Sequence, residues 1–209
     1  MRAVVFDCDG VLVDSEPISE ATWAEVLAGH GYTPDAGDFA AVRGTTSADT
    51  AAYFARRAEL PPSPELVAEV DTLREAAYGQ VPVFADAAKA VRALAAVGIP
   101  LAVASSSGRP LLDLKLEVSG LRRYFDVVVS AQDGTRGKPA PDLFDAAAAG
   151  LGIAASACIA VEDTELGADA AVSAGMRTVL VWRDGAVSGR HTTVSSLDPE
   201  LILGWLGLL

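Results

Sequence analysis

Cysteine is nearly absent from this chain. Its 209 residues include two, Cys8 and Cys158. Two thiols build no disulfide framework, and both sit at the ends of apolar runs, so buried free thiols in a reducing compartment are expected. Long hydrophobic runs are also missing: no segment approaches the ~20 apolar residues that cross a bilayer. The apolar part of residues 1–7 is too short for a secretory signal and runs straight into acids. The expected location is cytoplasmic. Basic residues are scarce: 16 Lys and Arg face 28 Asp and Glu, a net charge of −12. That balance argues against nucleic acid and anionic membrane surfaces as partners. It leaves room for a small anionic substrate, because a bound divalent cation can dominate the local field. The chain has no internal repeat. Hydrophobic residues make up 51%, enough for a globular protein with one sizeable core and a small insertion.

The most informative stretch is Asp7-Cys8-Asp9-Gly10-Val11-Leu12-Val13-Asp14-Ser15-Glu16, which follows the apolar run Ala3-Val4-Val5-Phe6. The run reads as a buried β-strand. Two carboxylates two residues apart then stand where the strand ends, the edge at which parallel sheets bind ligands. A strand's period of two puts Asp7 and Asp9 on one side. Gly10 allows a sharp turn and the close approach of a ligand. Acids this near repel. They stay ionised beside a cation, or one takes up a proton. Either outcome suits chemistry: a nucleophile that also ligates metal, and a second acid that shuttles protons.

Five apolar runs read as central strands, at residues 3–6, 100–104, 126–130, 157–161 and 178–182. Ala-rich helical stretches at 111–118, 141–150 and 166–174 lie between the later ones. This alternation predicts an α/β fold, a Rossmann-like parallel sheet with helices on both faces. The first two strands break the rhythm, with about 90 residues between them, far more than one crossover needs. Helices are expected there at 16–28, 46–57, 63–78 and 85–97. The last can serve as the crossover. The rest predicts a small α-helical cap, residues 15–80, inserted into a core of residues 1–14 and 81–209. Pro17 and Pro82 mark the two junctions, while Gly31, Pro34, Gly37 and Gly44 punctuate the insertion.

Three further clusters join the acidic pair. Ser105-Ser106-Ser107-Gly108 ends the second strand and is either an anion site of hydroxyls and free N–H groups or a plain helix cap. Gly137-Lys138-Pro139-Ala140-Pro141-Asp142 precedes a helix. Its lysine is either a point cation for phosphate and carboxylate or a surface residue. Glu162-Asp163-Thr164 ends the fourth strand. Hard oxygen ligands from two strand ends suit Mg²⁺ shared with phosphate.

In order and spacing, Asp7-x-Asp9-Gly10, Ser105, Lys138-Pro139 and Glu162-Asp163 resemble the four motifs of the haloacid dehalogenase superfamily, over residues 7–163. Asp9 and Gly10 are similar to its phosphotransferase branch, and the insertion resembles the cap of its β-phosphoglucomutase and phosphatase subgroup. The resemblance implies catalytic roles for Asp7, Asp9, Ser105 and Lys138. Asp7 is the implied nucleophile, forming an aspartyl-phosphate; Asp9 is the acid and base; Ser105 and Lys138 hold the phosphoryl group. Mg²⁺ is the implied cofactor, with Asp7, Asp9 (through its carbonyl), Glu162 and Asp163 as ligands. Substrate contacts are expected from Ser106, Ser107, Arg43, Gly44 and Arg109. Ser19 and Ser47 stand where the mutases carry a histidine and a base for a distal phosphate, and neither His30 nor His191 fits those roles. The implied function is therefore a Mg²⁺-dependent phosphatase of a small phosphorylated metabolite, as a monomer or weak homodimer. A phosphosugar mutase and a non-catalytic binding module on the same fold are the alternatives. Trp23, Trp182 and Trp205 read as packing residues.

Overall fold

A computed structural model describes residues 2–133, 136–183 and 185–208. Met1, Gly134, Thr135, Asp184 and Leu209 lie outside the described residues. Six parallel strands form one sheet: β1 (Ala3–Phe6), β2 (Leu101–Ala104), β3 (Val127–Val129), β4 (Cys158–Glu162), β5 (Arg177–Val181) and β6 (Thr192–Val194). Their spatial order is β3-β2-β1-β4-β5-β6. The chain winds outward in both directions from β1, so the switch point lies at the carboxyl end of β1, where ligands of such sheets bind.

Alternation along each strand divides the core by side-chain size. Val4, Phe6, Leu101, Val103, Ile159 and Val161 fill one face. It is covered by α5 (Ala85–Ala96), α6 (Arg109–Val118) and α9 (Pro199–Trp205). The opposite face carries Ala3, Val5, Ala102, Ala104, Cys158 and Ala160. Small side chains let α7 (Asp142–Leu151) and α8 (Glu165–Ser173) settle close. A methyl group on Gly150 of α7 would stand 2.8 Å from Val127 Cγ1. Cys8 and Cys158 are buried and free.

Four helices follow β1: α1 (Glu16–Gly29), α2 (Ala36–Val42), α3 (Ser47–Ala55) and α4 (Ser63–Tyr78). They surround their own apolar cluster, with Trp23, Leu27, Phe54, Leu66 and Val70 buried at its centre. The chain enters and leaves this bundle side by side: Asp14 N–H donates to Pro82 O at 2.8 Å and Phe84 N–H to Leu12 O at 3.0 Å. No helix among the described residues is long and apolar enough to cross a membrane.

Three elements were not expected. Helix α2 forms because Asp35 and Asp38 make a reciprocal cap, Asp35 Oδ1 accepting from Gly37 and Asp38 N–H at 2.7 and 3.0 Å. Helix α9 starts from an Asp198 cap with Pro199 in its first turn. Strand β6 is a short, half-exposed edge strand of Thr-Thr-Val, without the apolar run that marks the others.

Candidate active site

Asp7, Ser105, Glu162 and Asp163 sit where central strands end, and Lys138 lies in the turn before α7. Asp7 follows β1, its N–H still bound to Val161 O at 2.9 Å, and the residue is 5% exposed. Lys138 Nζ donates to Asp7 Oδ1 at 2.7 Å and also to Glu162 Oε1. The Lys138–Pro139 peptide is cis. Glu162 turns its other oxygen to the Asp163 N–H at 3.1 Å and the Thr164 hydroxyl at 3.3 Å. Carboxylate oxygens of Asp7, Glu162 and Asp163 all lie within 4.8 Å of one another. Gly10 makes this possible: its φ is +72°, and a methyl group there would fall 2.0 Å from Asp163 Oδ2.

Asp9 points elsewhere. Its carboxylate accepts from Lys115 Nζ at 2.5 and 2.7 Å, from Ser107 Oγ at 2.8 Å and from Ser15 Oγ. Lys115 is fully buried on α6. Burial raises the pKa of both aspartates, but the balance differs. At Asp7, burial, partly offset by Lys138 and reinforced by Glu162 and Asp9, pushes the carboxyl up to about 7. At Asp9, burial is outweighed by the Lys115 charge and hydrogen bonds, which hold the carboxyl well below the usual range. Asp163 is pushed well up, by burial and then by Glu162 and Asp7. Both lysines are held charged against burial by their carboxylates.

The helical insertion closes over these groups. A cavity of about 80 Å³ is lined by Asp7, Asp9, Lys138 and Glu162 below and by Ser19, Arg43 and Arg74 above. Ser106 and Ser107 line it too, and Ser106 Oγ donates to Gly44 O across the gap at 3.0 Å. Ser105 is wholly buried behind them, its hydroxyl accepting the Ser107 N–H at 3.1 Å. Arg43 reaches the cavity, but Glu16 at 3.5 Å and Glu20 at 3.4 Å neutralise it. Arg109 does not belong with the group: its guanidinium is tied to Val128 O at 2.9 Å and to Asp133, and it does not line the cavity.

Three residues were missed. Lys115 shares the apolar face of α6 with Leu111, Leu112 and Leu116; a lysine in that register was the available signal. Arg74, at 7% exposure, donates to Ser47 Oγ at 3.0 Å and Ser19 Oγ at 2.6 Å. The insertion therefore does carry a buried cation, contrary to what Ser19 and Ser47 implied, because α4 supplies it. Trp182 is more than packing: its indole N–H donates to Asp163 O at 2.6 Å.

The fold and site define a doubly wound α/β protein with clustered acids, a paired lysine and a helical lid at the switch point. Over residues 1–175 the sequence matches the haloacid dehalogenase-like hydrolases, and the chain belongs to that family. It is 31% identical over 180 residues to fructose-1-phosphate phosphatase YqaB of Escherichia coli, covering 84% of this chain and 94% of that protein. It is 35% identical over 191 residues to the chloroplastic protein SUPPRESSOR OF QUENCHING 1 of Arabidopsis thaliana. There it covers 87% of this chain but only 18% of the plant protein's length. Among solved structures, a hydrolase of the family from Deinococcus radiodurans with bound phosphate and sodium is similar. It is 34% identical, with a TM-score of 0.72, over 100% of this chain and 97% of that one.

Proposed function

We propose that this hydrolase is a Mg²⁺-dependent phosphatase that cleaves a small phosphorylated metabolite through an aspartyl-phosphate on Asp7. The observation that carries the reading is the juxtaposition of a lysine-bound carboxylate, Asp7, with a second acid two residues on that has its own lysine. The donor set fits the ion: three carboxylates converge, and Asp163 has no hydrogen-bonded cation among the described residues. Asp7, Glu162, Asp163 and the Asp9 carbonyl would hold it, with hard oxygen ligands as Mg²⁺ prefers. Bound there, Mg²⁺ supplies positive charge against the phosphoryl oxygens and favours ionised Asp7.

The protein's own groups do the rest. Lys138 orients Asp7 through Oδ1 and offers a point charge to the transferring group. The Ser105–Ser107 turn supplies hydroxyls and N–H groups beside it. Asp9 serves the leaving oxygen as acid and then activates water as base. Its contact with Lys115 keeps the carboxylate form that the second step needs. Residues 15–80 act as a cap over a core of residues 1–14 and 81–209, hinged at the paired junctions near Pro17 and Pro82. The narrow cavity suits a small metabolite, and the buried thiols suit a cytoplasmic setting.

The test is phosphate release from p-nitrophenyl phosphate with Mg²⁺ and with excess chelator. Release that needs Mg²⁺ supports the reading, and its absence in both conditions rejects it. Arg74 favours one second reading, a mutase, since a buried cap cation can grip a second phosphate. Sugar 6-phosphate forming from the 1-phosphate faster than free phosphate would select it.

A further inference from the structure

Of the three converging acids, Asp7 and Glu162 share Lys138, while the Asp163 carboxylate has no hydrogen-bonded partner among the described residues. Asp163 stands just past β4, where the register with β5 ends at Glu162 opposite Leu180. Its backbone is held at both ends of the residue. The N–H donates to Glu162 Oε2 at 3.1 Å, and the carbonyl accepts from the Trp182 indole N–H at 2.6 Å. The first anchor leans on a carboxylate that a bound cation would itself engage. The second lies outside the ligand set.

Trp182 is the first residue past β5. Its backbone N–H donates to Val194 O at 2.9 Å, so its main chain continues the pairing with β6. Its side chain reaches the other way, toward β4, and supplies a donor where the backbone ladder has stopped. An indole N–H only donates, and the ring turns on two torsions, so little freedom is lost in aiming it. Asp163 does not line the cavity of about 80 Å³ that Asp7 and Glu162 line. It lines a second opening, of about 540 Å³, with Gly10, Trp182 and Arg183. The acids thus converge from two sides, and the far one depends on what holds it there. Arg183 does not hold it: that guanidinium lies over the Phe84 ring at 3.8 Å and donates to Val11 O at 3.2 Å and Asp86 Oδ1 at 3.0 Å.

We propose that Trp182 is a positioning residue for the metal site: by holding the Asp163 carbonyl, its indole N–H aims the Asp163 carboxylate at the point where Asp7 and Glu162 converge, and so raises the affinity for a divalent cation. The proposal rests on the reading of Mg²⁺ as the ion of this site. A carboxylate left to swing must be ordered when the ion arrives, and the outer partners of metal ligands carry roughly 10–100-fold of metal affinity. A tryptophan that only packed would act through its ring area, most of which phenylalanine keeps.

The test titrates the full chain and Trp182→Phe with Mg²⁺ alone, by calorimetry, after chelator treatment. Trp182→Phe should bind Mg²⁺ roughly tenfold more weakly. Its Tm in chelator should stay within about 4 °C of the parent, the scale of one net hydrogen bond. The Mg²⁺ concentration for half-maximal phosphate release should rise by the same factor as the dissociation constant, and excess Mg²⁺ should recover most of the turnover. Trp205→Phe makes the same change at the other edge of the sheet, beside Arg177 at the start of β5, and should leave Mg²⁺ affinity unchanged. Equal affinity in the parent and Trp182→Phe, or an equal loss in Trp205→Phe, overturns the proposal and leaves the Mg²⁺ reading standing. Absence of Mg²⁺ binding to the parent removes both. A parent that binds Mg²⁺ but releases no phosphate loses the phosphatase reading alone, and calorimetry still decides for Trp182. Should Trp182→Phe not fold, the indole N–H resonances of the three tryptophans decide. One of them should move as Mg²⁺ is added, and it should persist in Trp23→Phe and in Trp205→Phe. No movement, or a moving signal that vanishes from either variant, overturns the proposal.

Discussion

Replacing Lys115 with Met keeps the stem that packs among Leu111, Leu112 and Leu116 and removes only the charge. The charge meets Asp9 at 2.5 and 2.7 Å and Ser107 Oγ at 2.7 Å, with the Tyr78 ring centred 5.0 Å away. Lys115 is 0% exposed. Removing one member of a buried ion pair strands the other, and about 3–5 kcal/mol is the usual loss. At roughly 2–4 °C per kcal/mol for a chain of this size, Tm should fall by roughly 6–20 °C. The pH dependence has a definite sign. The Asp9 carboxyl is lowered in the fold, so its contribution is present above its unfolded value near 3.9 and is lost as pH falls through the folded one. Lys115 is raised, so its contribution is present below its unfolded value near 10.4 and is lost as pH rises through the folded one. In the variant, Asp9, whose side chain is only 24% exposed, loses its cation, and its pKa rises. Protonation then relieves it, so the gap between parent and variant narrows from pH 8 to pH 5. Urea denaturation of both proteins in chelator-treated buffer measures the gap. Adding Asp9→Asn to Lys115→Met should recover more than half of the loss, since no charge is then stranded. A gap under 1 kcal/mol at pH 7, or one that widens toward acid, would refute the reasoning.

Asp7→Asn should lower turnover at least a thousandfold while Tm holds or rises, because one of several mutually repelling carboxylates is gone; activity within tenfold of the parent would sink the nucleophile assignment. Chelator should abolish phosphate release, Mg²⁺ should restore it, and Ca²⁺ should not, since it takes more ligands at longer distances. Phosphate release that persists in excess chelator would remove the metal from the reaction. Gly10→Ala should cost about 1–2 kcal/mol from its left-handed backbone and weaken Mg²⁺ binding measured by calorimetry, because the new methyl displaces Asp163 Oδ2. Unchanged Mg²⁺ affinity would show that Asp163 is not a ligand.

The central strands and their crossover helices were legible because each carries its own apolar run or Ala-rich period. The expected helix at 63–78 coincides with α4, and the expected strand at 3–6 with β1. Of what was lost, α2 and β6 lack such a run. Helix α2 is seven residues whose stability lies in the Asp35–Asp38 cap and in Asp38 accepting from the hydroxyls of Tyr32 at 2.8 Å and Tyr53 at 3.0 Å. Strand β6 borrows its order from β5. The same distinction separates the site residues. Asp7, Lys138, Glu162 and Asp163 stand at strand and turn ends, where sequence position alone brings them to one edge. Lys115 and Arg74 lie within helices, 106 residues from Asp9 and 55 from Ser19. Only the packing of α6 and α4 delivers them. Arg109 shows the converse: next to the serine turn in sequence, its guanidinium is held by Asp133 and the Val128 carbonyl.

Charge balance gives these placements a common cause. Four carboxylates crowd the carboxyl ends of β1 and β4: Asp7, Asp9, Glu162 and Asp163. Two lysines answer them. Lys115 serves Asp9 alone, while Lys138 is shared between Asp7 and Glu162. Four negative charges less two positive ones leave a deficit of two. It falls on the acids with the weakest claim to a lysine. Asp7, which shares one, is pushed up to about 7. Asp163, which has none hydrogen-bonded to it, is pushed well above its usual range. Asp9, with a lysine to itself, is driven the other way. The two raised groups lie beside each other at the strand ends and, with Glu162, form the converging set. Protons would fill the deficit at the expense of an ionised Asp7, the proposed nucleophile. The proposed divalent cation would fill it and leave Asp7 ionised. Lys115 thus plays a separate part. By neutralising Asp9 from behind, it keeps that carboxylate outside the competition, as the proposed role of general base requires.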